Sequence, residues 1–199
     1  ALAAALEQLK SLGSVPRYDK LIVTRPIQPL GNDIGYLPGT LEEKMEPWIA
    51  PIRDNINYLV GCQKTNKDDQ LHRRRVMKSG ESREFVRDDY ISLMQEKGLI
   101  EIEAITYIRG RSIPNAFIII DEAQNLSMHE LKTIITRAGE NTKIVLTGDL
   151  EQIDNVHVDA YSCGLSYAIE RFKDYPIAGH VMLLKGERSA LADLASKIF

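Results

Sequence analysis

Cysteine is scarce: Cys62 and Cys163 are the only two in 199 residues. They are too few and too far apart for a disulfide framework or a thiolate metal site, and they suit reduced thiols. Histidine adds no metal site either, since His72, His129, His157 and His180 are scattered without ligand spacing. No apolar run approaches the roughly 18 residues that a membrane-spanning helix needs, and no signal-peptide pattern is visible. The expectation is a cytoplasmic protein with no membrane partner. Neither sign of charge dominates, 25 Lys and Arg facing 28 Asp and Glu for a net charge of −3, which excludes a global attraction to nucleic acid. What the chain does have is apolar bulk. At 199 residues and 44% hydrophobic, a single domain over 1–199 can bury roughly 70% of its unfolded surface without staples.

That bulk is most concentrated at Phe117-Ile118-Ile119-Ile120, which is followed at once by Asp121-Glu122-Ala123-Gln124. Four large apolar residues without alternation read as a strand buried on both faces, as in a parallel sheet. Ligands of such sheets bind beyond the carboxyl ends of the strands, where the two carboxylates would stand. A hydrophobic strand ending in Asp-Glu has the form of a Walker B motif. Side chains alternate along a strand, so Asp121 could face a magnesium ion and Glu122 a water beside it. Magnesium takes one or two carboxylates plus waters and phosphate oxygens, and Glu122 could deprotonate the water that attacks a terminal phosphate. The dipeptide alone equally allows a buried strand leaving through a polar turn, with Asp capping the next helix.

Residues 143–149, Lys-Ile-Val-Leu-Thr-Gly-Asp, form another apolar run ending in small and polar residues, with Gln152 three positions beyond Asp149. Between the runs, Leu126, Leu131, Ile134, Ile135 and Ala138 recur at helical spacing over Asn125 to Gly139, with Gly139 as a C-terminal stop. Strand, helix, strand is the unit of a parallel sheet. In ATPases of this kind the strand after Walker B lies beside the phosphate-binding strand, and Gln152 or Thr147 at its tip can sense a terminal phosphate.

No Gly-x-x-x-x-Gly-Lys-[Ser/Thr] loop occurs in the chain: Gly31 to Gly39 lacks the Lys-Ser/Thr ending, and Lys185-Gly186 is in the wrong order. The opening Ala-Leu-Ala-Ala-Ala-Leu-Glu-Gln-Leu-Lys is a strong helix former without a cap, and residues 1–12 are expected to be the remainder of a phosphate-loop helix whose strand and loop are missing. Lys20 to Thr24 reads as a short strand closed by Arg25-Pro26, which leaves Arg25 on the expected ligand side. Residues 28–40 form a turn-rich loop, and Thr40 caps a helical stretch interrupted by Pro47 and Pro51 whose apolar stripe, Trp48 included, faces the core. Further on, the pattern predicts a helix over Asp88 to Lys97 stopped by Gly98, a strand over Ile100 to Tyr107 and a helix over Val158 to Phe172 despite Gly164. A last strand over Gly179 to Leu184 and a terminal helix from Ser189 complete the prediction.

Segment 63–89 differs in composition and is expected to be a flexible charged insertion; His72 to Arg87 holds six Lys/Arg against two Glu, a balance of +4. It reads either as a basic arm for RNA or as a solvated insertion, and few aromatics accompany it for base stacking.

Taken together, Val-Thr-Arg-Pro at 23–26, Gly-Tyr-Leu-Pro-Gly at 35–39, Tyr-Ile-Arg-Gly-Arg-Ser at 107–112, Ile-Ile-Asp-Glu-Ala-Gln-Asn at 119–125, Thr-Gly-Asp-x-x-Gln at 147–152 and Lys-Gly-Glu-Arg-Ser at 185–189 resemble the PhoH-like ATPases. The last motif is similar to the branch in which an N-terminal PIN nuclease precedes the ATPase. The resemblance spans nearly the whole chain. It implies a three-layer α/β, RecA-like P-loop NTPase core with a mostly parallel sheet, here without its phosphate-loop strand, related to the motor domains of superfamily-one helicases. It also implies ATP-dependent unwinding and cleavage of RNA in the branch with the PIN domain. On the matching residues, Asp121 resembles the aspartate linked to Mg2+ through water, Glu122 the catalytic glutamate and Gln152 the phosphate sensor. Thr147 and Arg25 join Asp121 as nucleotide-binding candidates. The Walker A lysine and hydroxyl have no counterpart, and neither does the acidic cluster of a PIN domain.

Phosphoryl transfer gains from a cation against the terminal phosphate, often an arginine supplied by a neighbour. Since the chain closes soon after its last predicted strand, that finger would come from another subunit, which implies a ring or other homo-oligomer. Arg188 is the first candidate for a phosphate contact and Arg137 the second, with a helix-end cation as the plain alternative for each. Arg109 and Arg111 would offer guanidinium groups to nucleic-acid phosphates or form salt bridges between subunits. Three function classes follow: the motor of an ATP-driven remodeller of single-stranded RNA, with DNA as the second polynucleotide; a nucleotide-dependent scaffold or switch that unwinds nothing; and a natively short, non-catalytic binding module. Residues 1–199 alone are expected to be inactive in hydrolysis, for want of the backbone nest and lysine that bind phosphate.

Overall fold

A computed structural model describes residues 1–9, 16–26, 41–63, 85–108, 110–183, 189, 191 and 194, with the backbone alone at 41–46, 60–63 and 85–90. Four strands, β1 (Lys20–Arg25), β2 (Ile100–Ala104), β3 (Ala116–Ile120) and β4 (Lys143–Leu146), form one sheet in the order β2-β1-β3-β4. Every pairing is parallel. β3 is buried along its whole length, which accounts for its unalternating apolar sequence: a strand covered on both faces has no wet side on which to place polar residues.

The pleat sorts the core into two layers. Ile118 and Ile120 of β3 join Ile22 of β1 in one cluster, with Leu131 and Ile134 of α4 (Met128–Ile135) and Leu165 and Ala168 of α5 (Gly164–Phe172). Phe117 and Ile119 point the other way, beside Leu21 and Val23, and meet Ala5, Leu6 and Leu9 of α1 (Leu2–Leu9), Ile52 and Ile56 of α2 (Leu41–Gln63) and Ile91 and Met94 of α3 (Phe85–Glu96). Helices on both faces of a parallel sheet make the three-layer α/β architecture expected from the motifs. Each fully buried aliphatic side chain in these layers contributes roughly 1.5–3 kcal/mol.

Several boundaries differ from the sequence pattern. α2 runs unbroken for 23 residues through Pro47 and Pro51. The prolines stand one turn apart and both are exposed, so the carbonyls they leave without an N–H partner can bond to water. Of the 63–89 segment, Gln63 closes α2 and Phe85 to Asp89 open α3; residues 64–84 lie outside the described residues, as do 27–40. The predicted strand over Ile100 to Tyr107 stops at Ala104 and continues as a 3-10 turn, Ile105–Ile108.

The helix expected from Asn125 begins at Met128. Ser127 accepts a hydrogen bond from the Glu130 N–H, and Glu130 accepts one from the Ser127 N–H. This capping box is worth about 1 kcal/mol and fixes the start. α4 ends at Ile135, before Gly139, which is not a left-handed cap: a Cβ there would stand 2.9 Å from the Pro114 nitrogen, so glycine is present because two backbones touch. α5 likewise starts at Gly164 rather than at Val158. Gly164 donates to the Leu126 carbonyl at 2.6 Å, and a Cβ on it would lie 2.8 Å from Leu131 Cβ. Gly98, by contrast, has a φ of 65° and ends α3 as expected.

The predicted strand over Gly179 to Leu184 does not form among the described residues. Residues 179–183 carry no strand pairing, and Val181, Met182 and Leu183 are exposed at 81%, 69% and 86%. Its apolar run is the pattern of a buried strand, but pattern cannot supply the neighbour whose backbone would pair with it. Leu191 and Leu194 are helical and exposed, in line with the expected terminal helix as far as it is described.

Candidate active site

The chain leaves β1 through helices on one face of the sheet and leaves β3 through α4 on the other. Adjacent parallel strands whose connections depart to opposite faces open a crevice between their carboxyl ends, the usual ligand position in such sheets. The register fills that crevice with chemistry. Thr24 is level with Ile120, and Ile120 with Leu146, so Arg25, Asp121 and Thr147 are the next residues on three neighbouring strands.

Asp121 and Glu122 separate at this point, though not by strand alternation. β3 has ended at Ile120, and Glu122 takes a left-handed conformation (φ 52°, ψ 40°), which costs roughly 1–3 kcal/mol for a residue other than glycine. The turn sends the two carboxylates to opposite neighbours. The Thr147 hydroxyl donates to Asp121 Oδ1 at 2.7 Å on the β4 side. Arg25 Nη2 donates to Glu122 Oε1 at 2.9 Å on the β1 side, and the two side chains stay 28% and 31% exposed. Four of the residues picked from sequence therefore converge: Asp121, Glu122, Thr147 and Arg25.

Gln152 lies close by in the loop after β4, but its side chain donates to Asp149 Oδ2 at 2.6 Å within its own turn. Arg111 belongs elsewhere. Its guanidinium bonds Glu103 at 2.7 Å and Glu101 at 2.9 Å on the outer strand β2, and Lys20 holds Glu101 from the other side at 2.6 Å. Burial pushes the Glu101 pKa up, but the bonds from Lys20 and Arg111 outweigh it and leave that carboxyl below its ordinary value. Glu103, with burial prevailing over Arg111, is held above it. The same bonds raise the Arg111 pKa. Arg137 follows α4, where its backbone carbonyl accepts from Ile113 N–H, at the end of the sheet where β3 enters, about 16 Å of strand away from Asp121. Arg109 and Arg188 lie outside the described residues.

Two residues of this region escaped the sequence reading. Gln124 is completely buried and Asn125 nearly so. Asn125 Oδ1 accepts from the N–H groups of Asp154 and Asn155, at 2.8 and 3.1 Å, and its carbonyl accepts from the Asn155 side chain. It thereby ties the end of the Gln152 loop to the β3 turn. The available signal was two amides directly after a strand, where buried polar groups must find partners.

As for magnesium, no group of three or more His, Cys, Asp or Glu able to hold a metal occurs among the described residues. The donors present suit a hard cation held lightly: a carboxylate offers about four lone-pair sites, and the Thr147 hydroxyl uses one of those on Asp121. An ion bound mainly by water and phosphate oxygens fits that donor set.

An all-parallel sheet with helices on both faces and an acidic pair at its carboxyl edge is the fold of a RecA-like P-loop NTPase core. The chain belongs to the PhoH family, whose model, described as PhoH-like protein, matches residues 1–198. It is similar to Protein PhoH2 of Bacillus subtilis (strain 168), 50% identical over 198 residues, covering 100% of this chain and 39% of that protein. Protein PhoH2 of Thermobispora bispora is 34% identical over 199 residues, again covering 100% of the chain and 39% of the relative. Protein PhoH of Escherichia coli (strain K12) is 35% identical over 175 residues, covering 87% and 42%. The chain thus spans about two fifths of the length of these curated relatives. No helix among the described residues is long and apolar enough to cross a membrane.

Proposed function

We propose that this chain is the greater part of the motor of an ATP-dependent RNA-remodelling protein that hydrolyses ATP to ADP and phosphate. The observation that carries the reading is the row Arg25, Asp121 and Thr147 at the tips of three adjacent parallel strands, with Glu122 turned back toward Arg25. In this reading Glu122 takes the proton of the attacking water, held in place by Arg25. Asp121, oriented by the Thr147 hydroxyl, would hold Mg2+, which when bound neutralises charge on the phosphate oxygens. Gln152 senses the terminal phosphate from the loop after β4. Among the described residues β4 pairs with β3 alone, and its other edge is where a phosphate-loop strand would add.

The RNA component rests on the family resemblance and on the basic run His72 to Arg87, with single-stranded RNA preferred and DNA second. A PIN nuclease in the intact protein, a cytoplasmic location and a homo-oligomeric ring in which Arg188 or Arg137 reaches a neighbour's phosphate complete the proposal. Arg111, already engaged by Glu101 and Glu103, is better used as a clip within the fold. The experiment is the full-length protein carrying Glu122→Gln. It should bind ATP with near-normal affinity and turn it over at least about a hundredfold more slowly, the usual scale of a lost general base. Unchanged turnover overturns the role of Glu122. Acceleration of wild-type turnover by single-stranded RNA supports the remodelling part, and its absence supports a nucleotide-dependent switch.

A further inference from the structure

Glu122 is gripped at both oxygens. Arg25, rooted in β1, holds Oε1; the amide of Gln124 donates to Oε2 at 2.7 Å. That same amide nitrogen donates to the main-chain carbonyl of Gln152 at 2.8 Å, and Gln124 Oε1 accepts from the Asp149 N–H at 3.2 Å. A fully buried side chain therefore uses three hydrogen bonds to span the gap between the turn after β3 and the loop after β4. We propose that Gln124 is a positioning residue that transmits displacement of the 148–152 loop to the Glu122 carboxylate. The proposal rests on the reading of Glu122 as the base of hydrolysis.

The physical basis is burial. A primary amide shut away from water loses about 1–3 kcal/mol for a hydrogen bond left unmade, so Gln124 follows its partners rather than releasing them. If the loop retreats, the amide is drawn with the Gln152 carbonyl and the Asp149 N–H and pulls Glu122 Oε2 after it, while Oε1 stays with Arg25. The carboxylate then pivots. Gly148 removes the slack: a Cβ at that position would stand 2.5 Å from Gln124 Oε1 and 2.9 Å from Leu165 Cδ2, so the loop closes directly on the amide. The Gln152 side chain is exposed and bonds Asp149, while the carbonyl of the same residue is the one Gln124 reads. A ligand drawing that side chain away from Asp149 moves the carbonyl with it. Occupancy at Gln152 is in this way reported to the base through one amide.

The test is a double-mutant cycle in the full-length protein. Gln124→Met keeps the volume and removes all three bonds. It should lower kcat about tenfold or more with KM for ATP within about twofold. Gln152→Ala should lower kcat in the wild-type background and add almost nothing to Gln124→Met; effects that simply multiply overturn the coupling. Because a buried Met leaves three groups unpaired, Gly148→Ala serves as the second variant, its methyl displacing the amide, and it should show the same non-additivity with Gln152→Ala. A wild type that fails to hydrolyse ATP, or a Glu122→Gln that matches it, defeats the reading of Glu122 instead. The coupling is then decided by carbon-13 NMR of the Glu122 carboxyl: Asp149→Ala, which frees the loop, should shift that resonance in the wild-type background and leave it still in Gln124→Met, and an equal shift in both backgrounds overturns it.

Discussion

Arg25 and Glu122, 97 positions apart in the chain, meet at 2.9 Å across the ends of β1 and β3. The pair lies where the connections of the two strands depart to opposite faces, so it crosses the mouth of the crevice.

This placement separates a binding role for Arg25 from a structural one. A partly exposed ion pair contributes about 1 kcal/mol or less to stability, which in a domain of this size is a melting shift of roughly 2–4 °C. Arg25→Ala in the full-length protein should stay within that range and weaken nucleotide binding about tenfold, the scale of one lost charge-assisted contact to phosphate. Calorimetry and a thermal melt decide it. A large loss of stability with unaltered binding would make Arg25 a structural residue alone.

Glu101 and Glu103, two carboxylates on one strand that both bond Arg111, give opposite pH effects because burial prevails over the cation only at Glu103. Glu101 has its pKa lowered in the fold, so its contribution to stability is present above its unfolded value and is lost as pH falls through the folded one. Glu103 has its pKa raised, so folding favours its protonated form and its contribution fades as pH rises through the folded value. Glu101→Gln should therefore lower the melting temperature at pH 7 by about 2–4 °C, with the deficit shrinking toward pH 3, the range expected for a partly exposed pair. Glu103→Gln should cause no loss at pH 7. Equal deficits from the two variants would contradict this division.

The 199-residue chain by itself should release no phosphate from ATP, because most phosphate-binding energy in this class comes from a backbone nest and a lysine that its sequence does not contain. A phosphate-release assay on the purified chain is the check. Steady release abolished by Asp121→Ala would sink the expectation.

Much of the site was legible beforehand because it follows from local chemistry. An unalternating apolar run must be a strand covered on both faces, and β3 is such a strand, with Asp121 and Glu122 directly after it. Thr147 and Arg25 were legible for the same reason, as the polar residues that close neighbouring apolar runs. The last strand was not. Gly179 to Leu184 has the composition of a strand, yet its described residues, 179–183, are unpaired, because a strand exists only when another backbone satisfies its N–H and C=O groups, which no window of sequence specifies. Helix starts at Met128 and Gly164 failed to follow periodicity because a capping box and a backbone contact outweigh an apolar stripe at its margin.

By itself the sequence determined the parallel α/β class, the order of its elements and the acidic pair, because burial and strand ends impose residue types directly. Only the tertiary structure decided the partners: that a left-handed Glu122 sends the two carboxylates apart, that Arg111 faces Glu101 and Glu103, and that Gln124 stands between Glu122 and the Gln152 loop. Those pairings depend on strand register and turn geometry, which bring distant residues within 3 Å or so, the reach of a hydrogen bond, and leave no periodic trace in the chain.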